Sequence, residues 1–259
     1  MSTAQTAPAG SRRSALVTGG SAGLGAAIAT ALAKAGYDVA ITERPSLTAH
    51  LAQTHADIEA AGGRALSVPL ELASTDSIAA AVGQVCETFG KIDVLVNNAA
   101  APLHRAALEV TPEDWDAIMQ PNLRGTFFMT QQVGKAMIAR GTPGSIISLA
   151  STHGIVALAK RSTYGIAKAA VMHMTRMLAI EWAEHNITLN AIAPGTIETP
   201  SRALTLQDPQ FRTMMLGRVP LGRFGTMDEI AAAAVYLASP EAKFMTGQTL
   251  VLDGGLTSY

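Results

Sequence analysis

The sequence predicts an α/β fold: one doubly wound domain built on a seven-stranded parallel sheet with helices on both faces. Three observations carry that expectation. Short β-rich apolar runs alternate with longer helical patterns along the whole chain, the signature of repeated βαβ units. Apolar residues make up 48% of the 259 positions and charged residues 15%, so most elements should be covered on both faces, as parallel strands are. No Gly/Ser/Pro linker and no repeat of fixed period divides the chain, so a single domain is expected over residues 13–259. The small, polar residues 1–12 read as a disordered lead-in.

Taken in order, Ala15–Thr18 is the first strand; it ends in a glycine-rich turn that opens into the helix Gly25–Ala35. Asp38–Thr42 and the helix Thr48–Ala61 follow, then the strand Ala65–Pro69 and the helix Ser74–Phe89, for which Ser74 offers an N-cap hydroxyl. Val94–Asn97 leads to a long helical pattern, Pro112–Arg140. The strands Ser145–Leu149 and Thr188–Ile192 flank the helix Tyr164–His185. The stretch from Pro194 to about Gly225 is the longest irregular segment, unusual in a compact domain, and is expected to be a substrate lid over 194–225. Met227–Leu237, capped by Thr226, and the strand Leu250–Leu252 close the chain.

A net charge of −1 with no basic patch argues against nucleic-acid binding. The single cysteine, Cys86, excludes an internal disulfide and suits a small buried hydrophobe. With no signal peptide and no apolar run near eighteen residues, a cytoplasmic protein away from membranes is expected. No metal site is expected.

Two features carry chemistry. Tyr164 and Lys168 stand at i and i+4, on one face of the expected helix, with Ser151 thirteen positions upstream. A phenol near pKa 10 is a poor acid or base at pH 7; a close cation favours its phenolate and makes it usable for proton transfer at an alcohol. The second feature is Thr18-Gly19-Gly20-Ser21-Ala22-Gly23-Leu24-Gly25, between the first strand and first helix. There glycines let backbone N–H groups and the helix N-terminus meet a pyrophosphate. The spacing is G-x-x-x-G-x-G, and no Gly-Lys-Ser/Thr ending follows, which speaks against a triphosphate loop. About twenty residues on, the second strand runs into Glu43-Arg44. A carboxylate there suits the ribose hydroxyls of NAD, and an arginine the 2′-phosphate of NADP. Glu43 and the lack of any basic residue in the loop favour NAD, and Arg44 leaves NADP open.

With these pieces together, residues 13–255 resemble the short-chain dehydrogenase/reductase family, a Rossmann-type fold. The matching motifs are Thr18-Gly19-x-x-x-Gly23-x-Gly25, Asn97-Asn98-Ala99, Asn122, Ser151, Tyr164-x-x-x-Lys168, Pro194-Gly195, and Thr246-Gly247-Gln248 running to Asp253-Gly254-Gly255. Two positions depart from the pattern: Ala100 replaces the glycine usual after Asn-Asn-Ala, and Glu71 stands where an adenine-side aspartate is usual, followed by Leu72. The resemblance implies an NAD(P)-dependent enzyme interconverting a secondary alcohol and a ketone. Tyr164 would be the general acid/base, and Ser151 would bond the same substrate oxygen. Lys168 would hold the nicotinamide ribose and depress the tyrosine pKa, and Asn122 would anchor a water in a proton relay. Cofactor contacts would come from Gly19, Ser21, Gly23, Leu24, Gly25, Glu43, Arg44, Glu71, Leu72, Asn98 to Ala100, Pro194, Gly195, Ile197 and Thr199. Asp253-Gly254-Gly255 reads as a structural turn or subunit contact.

The substrate pocket is expected from residues 100–105, 152–158 and the segment after Gly195, with His104, His153, Arg202, Met214 and Met215 as candidates. The resemblance is to the ketoacyl-carrier-protein reductase and the sugar or polyol dehydrogenase branches. Carrier reductases tend to hold arginines at positions matching Phe128 and His185, and neither is arginine here. A small polyol, sugar or hydroxy acid therefore ranks above a carrier-bound acyl chain. A catalytically silent dinucleotide-binding regulator is the rival of another class; Asn122, Ser151, Tyr164 and Lys168 together weigh against it. The helices Pro112–Arg140 and Tyr164–His185 are more apolar than exposed helices need, and by resemblance they and the last strand would build a homotetramer.

Overall fold

The computed structural model describes residues 12–44 and 50–258. Most of the expected lead-in and the expected helix start at Thr48 lie outside those residues. Arg12, the last residue of that lead-in, pairs through Nε with Asp38 at 3.1 Å.

Seven parallel strands form one sheet in the order β3-β2-β1-β4-β5-β6-β7. They are β1 (Arg13–Val17), β2 (Tyr37–Glu43), β3 (Ala65–Pro69), β4 (Val94–Asn97), β5 (Gly144–Leu149), β6 (Ile187–Pro194) and β7 (Thr249–Leu252). The helices are α1 (Gly23–Lys34), α2 (Leu51–Ala60), α3 (Thr75–Phe89), α4 (Pro112–Met119), α5 (Thr126–Arg140), α6 (Ser162–Trp182), α7 (Ala203–Gln207), α8 (Pro209–Leu216) and α9 (Met227–Ala238). Strand side chains alternate between faces, which explains the two cores. Ala15, Val17, Val39, Ile41, Val94 and Val96 pack with α1 and α9. Leu16, Ala40, Leu95 and Ile146 face the other way, onto α3, α5 and α6. Both faces are thus dry, and the apolar composition is accounted for. Cys86 packs at the edge of the second core, where burial raises its thiol pKa.

Local chemistry sets the element ends. Ser74 caps α3 by accepting from Ser77 N at 3.2 Å, and Gly90, at φ +82°, ends it in the left-handed region. Thr226 and Glu229 form a capping box at the start of α9.

Two expectations change. The pattern over Pro112–Arg140 is not one helix: a π-helical turn over Gln120–Gly125 separates α4 from α5. Pro121 lacks the N–H that a continuous helix needs there, and Gly125 comes so close to Leu72 that a Cβ would sit 2.6 Å from its carbonyl oxygen. The segment 194–225 is also less irregular than expected, since it carries α7 and α8. Asp208 caps α8 by accepting from Gln210 N at 2.9 Å. Leu206, Met215 and Phe224 give this segment a small core of its own.

The chain runs outward from β1 to β3 and then returns to β4 beside β1, so the strand order reverses between β1 and β4. In a doubly wound sheet, ligands bind beyond the carboxyl ends of the strands at that switch. The glycine turn follows β1, and Asn98-Ala99-Ala100 follows β4.

Candidate active site

The glycine turn is held by its neighbours rather than by its own bonds. Asn98 Nδ2 donates to the carbonyls of Thr18 and Gly19, each at 3.0 Å, while Thr18 Oγ1 accepts from Asn98 N and Ala99 N. Gly19 and Gly23 sit at φ +60° and +55°. A Cβ on Gly25 would lie 2.6 Å from Asn98 Nδ2 and closer still to the Gly19 carbonyl, so only glycine fits. Gly23 faces open space, and α1 starts there without a side-chain cap, leaving its first N–H groups aimed outward. This concave, amide-lined turn fits a pyrophosphate.

At the tip of β2, the Glu43 carboxylate accepts from the buried Ser21 hydroxyl and, at 2.9 Å, from Arg44 N. Arg44 itself is exposed. Glu71 accepts from Ala73 N at 3.1 Å in the turn after β3, and Leu72 is buried beneath it. On the other side of the switch, Pro194 ends β6. Gly195 N donates to Leu252 O at 2.9 Å, so close to Asp253 that a Cβ would meet its Cα at 2.9 Å. Ile197 is buried and bridges to Gly225, and Thr199 Oγ1 hydrogen-bonds Ser201 Oγ at 3.1 Å. Asp253 accepts from Gly255 N and from Thr257 N and Oγ1, which makes it a turn-holding residue.

Ser151 leaves β5 and caps a single 3-10 turn over Thr152–Gly154, accepting from His153 N at 3.2 Å. Glycines press that turn onto α6. A Cβ on Gly154 would lie 2.7 Å from Ala169 N, and one on Gly165 would lie 2.7 Å from His153 O. The close seat brings the Ser151 hydroxyl against the Tyr164 phenol, where it favours the ionised form. His153 stacks edge-on to the Tyr164 ring, with centroids 6.2 Å apart.

Lys168 is buried; its Nζ donates to Leu149 O at 2.5 Å and stands 5.6 Å from the Tyr164 ring centroid. Burial lowers its pKa to about 8. Burial also raises the Tyr164 phenol, opposed by Arg202, by the Ser151 hydroxyl and by Arg161. Arg202 and Arg161 thus also favour the phenolate, beside the lysine to which the spacing of Tyr164 and Lys168 pointed. Asn122, fully buried, donates from Nδ2 to Ala101 O at 2.7 Å and accepts at Oδ1 from Ala101 N at 3.0 Å. The π turn rotates it inward to make this pair, which fixes the loop after β4.

Among the substrate candidates, His153 is half-buried and its Nδ1 has no partner; burial, then Arg161, Arg202 and Arg218, lower its pKa to about 4. Arg202 ends a 3-10 turn at the entrance of the lid and is exposed, as are His104 and Met214. Met215 is buried in the core of the lid. Arg161 and Arg218 were not singled out by the sequence. Arg161 could have been, because it lies three positions before Tyr164, at the start of the same helix.

The family model described as enoyl-(acyl carrier protein) reductase matches residues 19–257. The chain is 38% identical over 241 residues to 2-dehydro-3-deoxy-D-gluconate 5-dehydrogenase of Escherichia coli, covering 93% of this chain and 94% of that protein. It is 36% identical over 244 residues to a 3-oxoacyl-acyl-carrier-protein reductase of Staphylococcus aureus, covering 94% of this chain and 98% of that one. A crystal structure of gluconate 5-dehydrogenase from Burkholderia cenocepacia, in complex with NADP and tartrate, superposes with a TM-score of 0.89 at 36% identity. That match covers 95% of this chain and 96% of the other.

Proposed function

The chain belongs to the short-chain dehydrogenase/reductase family and is an NAD(P)-dependent oxidoreductase of CH–OH groups; from that premise we propose that it interconverts the secondary alcohol and ketone of a small polyol, sugar or hydroxy acid. The observation that carries this reading is the Ser151–Tyr164–Lys168 cluster beside the amide-lined turn at the strand switch. When bound, the nicotinamide cofactor supplies the hydride transfer. Tyr164 takes the carbinol proton in oxidation and returns it in reduction. Ser151 donates to the same oxygen and stabilises the charge that develops there. Lys168, a cation with its pKa lowered to about 8, holds the ribose side of the cofactor and keeps a proton available beside the phenol. Asn122 is a positioning residue: it spends its amide on Ala101 and so fixes the wall of the cleft.

The finer cofactor choice is NAD. The Glu43 carboxylate, bonded to Ser21 at the rim of the turn, would accept from ribose hydroxyls and repel a 2′-phosphate. The NADP in the Burkholderia structure is the counter-indication, and Arg44 is the residue that could serve it. Pyrophosphate contacts are assigned to Gly19, Ser21, Gly23, Leu24 and Gly25, the adenine side to Glu71 and Leu72, and the nicotinamide side to Asn98, Ala99, Ala100, Pro194, Gly195, Ile197 and Thr199.

A single domain, a cytoplasmic setting and a twofold-symmetric tetramer belong to the same reading. Trp115, Ile166, Met177 and Ile180 are exposed on α4 and α6, and β7 ends the sheet with Val251 outward, surfaces suited to subunit contact. Light scattering that gives a monomer would sink the assembly.

The second reading, a ketoacyl-carrier-protein reductase, is kept by one observation: Arg124 stacks over Phe128 at 4.9 Å and returns a cation to a position where the branch carries arginine. A panel of sugars, polyols, hydroxy acids and β-keto thioesters, followed by nicotinamide absorbance with each cofactor, separates the readings. Turnover of small hydroxy compounds is expected. Turnover of thioesters alone would favour the carrier reductase, and none with any member would favour the silent regulator.

A further inference from the structure

Three arginines stand around His153, beside the phenol, and none of them has a counter-ion among the described residues. Arg161, immediately before α6, donates from Nη1 to Leu103 O at 3.2 Å, across the cleft, while its Nε is buried with no partner. Arg218, at the end of the lid, donates from Nη2 to Ala157 O at 3.4 Å. Arg202 opens the lid, and its charge is felt at both Tyr164 and His153. Among the described residues, none of the three has a carboxylate within 4.0 Å, whereas Arg105, Arg212 and Arg223 each have one. His153 Nδ1 is a second buried atom without a partner at the same place.

Burying the Arg161 Nε without a partner is costly, so a ligand acceptor there would be favoured. Two of the three guanidiniums are also tied by backbone carbonyls, so little freedom is lost when a ligand arrives. Planar guanidiniums suit a carboxylate, which can accept two parallel bonds. A neutral imidazole beside them suits a hydroxyl.

We infer that Arg161, Arg202 and Arg218 form an anion clamp around His153 beside the phenol, that the substrate carries a carboxylate near its reacting carbinol, and that His153 Nδ1 bonds a neighbouring hydroxyl. This rests on the small-molecule dehydrogenase reading above and narrows it to hydroxy acids over neutral polyols.

The test measures binding, independently of turnover. Tartrate and D-gluconate, with neutral erythritol and sorbitol as their uncharged counterparts, are titrated calorimetrically into the protein loaded with the reduced cofactor, on which an alcohol cannot be oxidised. The acids should bind at least about tenfold more tightly than the neutral polyols, the scale of one charge-assisted contact. Arg161→Gln and Arg202→Gln should each remove about that factor for the acids and leave the polyols within about twofold. Arg161→Lys, with the charge kept but the fork lost, should fall between. Unchanged cofactor affinity shows that the variants are folded. Acids that bind no better than polyols, or acid binding indifferent to both substitutions, would overturn the clamp. Loss of all turnover in the substrate panel with acid binding intact would instead sink the dehydrogenase reading.

Discussion

Gly154 is a lever on the catalytic geometry that lies outside the glycine turn after β1. A Cβ there would stand 2.7 Å from Ala169 N and 2.9 Å from Lys168 C, both backbone atoms of α6. Ordinary contact begins at 3.4 Å, so Gly154→Ala forces the Thr152–Gly154 turn to retreat by about 0.7 Å, the difference between 3.4 and 2.7 Å. Ser151 caps that turn and moves with it. Overpacking of this kind costs about 1–3 kcal/mol, which for a domain of this size lowers the melting temperature by roughly 2–12 °C. The larger effect is on chemistry, because a misplacement on the order of 1 Å can cost about 10²-fold. We expect kcat to fall by roughly two orders of magnitude while cofactor affinity stays within about twofold, since the glycine turn after β1 is untouched. The assay pairs steady-state nicotinamide absorbance with a fluorescence titration of NADH. Near-normal kcat in a folded variant, or a parallel loss of NADH affinity, would refute the link from Gly154 through Ser151 to the phenol.

Other perturbations read out separate parts of the site. Glu43→Ala should raise NADPH affinity by about tenfold, one charge-assisted contact's worth, and weaken NADH; a titration giving no gain for NADPH would take the choice away from Glu43. Arg202→Ala removes the leading charge that opposes the rise in the Tyr164 pKa, so the limb of the pH–rate profile for alcohol oxidation that belongs to Tyr164 should move to higher pH. An unmoved profile would place Arg202 away from the phenol. Lys168 has a folded pKa of about 8, below its ordinary 10.5. Over that window the unfolded chain binds more protons than the folded one, so this group's destabilisation is full below about pH 8 and is relieved as pH rises toward 10.5. Melting temperatures of wild type and Lys168→Met without cofactor should therefore converge in the wild type's favour between pH 8 and 10, and parallel curves would contradict the buried charge.

Much of the fold could be read from the sequence because a sheet covered on both faces leaves continuous apolar runs, and β1, β2 and β4 are such runs. The order Gly19 to Gly25, Ser151, Tyr164 and Lys168 pointed to one region, since the glycine turn follows β1, Ser151 follows β5 and Tyr164 and Lys168 lie in the first two turns of α6. What escaped depends on contacts between distant segments. The helix expected over Pro112–Arg140 ran through Pro121, and that the break there turns Asn122 onto Ala101 depends on where the loop after β4 runs. Arg161 and Arg218 acquire their meaning only when Leu103 and Ala157 come within reach of them. Met214 and Met215 look alike in sequence, yet one is exposed and the other fills the lid core, because adjacent helical positions point about a quarter-turn apart. Arg202 and Arg161, which also act on the phenol, were likewise out of reach of the spacing argument that paired Tyr164 with Lys168.

The measurement that bears most directly on the central claim is turnover by Tyr164→Phe, which removes one oxygen and leaves the ring beside His153 and Lys168. With the substrate found in the panel, kcat should fall by at least about 10²-fold while NADH binding and melting temperature stay near those of wild type, because general acid–base transfer contributes on that scale. Full turnover by a folded, cofactor-binding Tyr164→Phe would contradict proton transfer through this phenol.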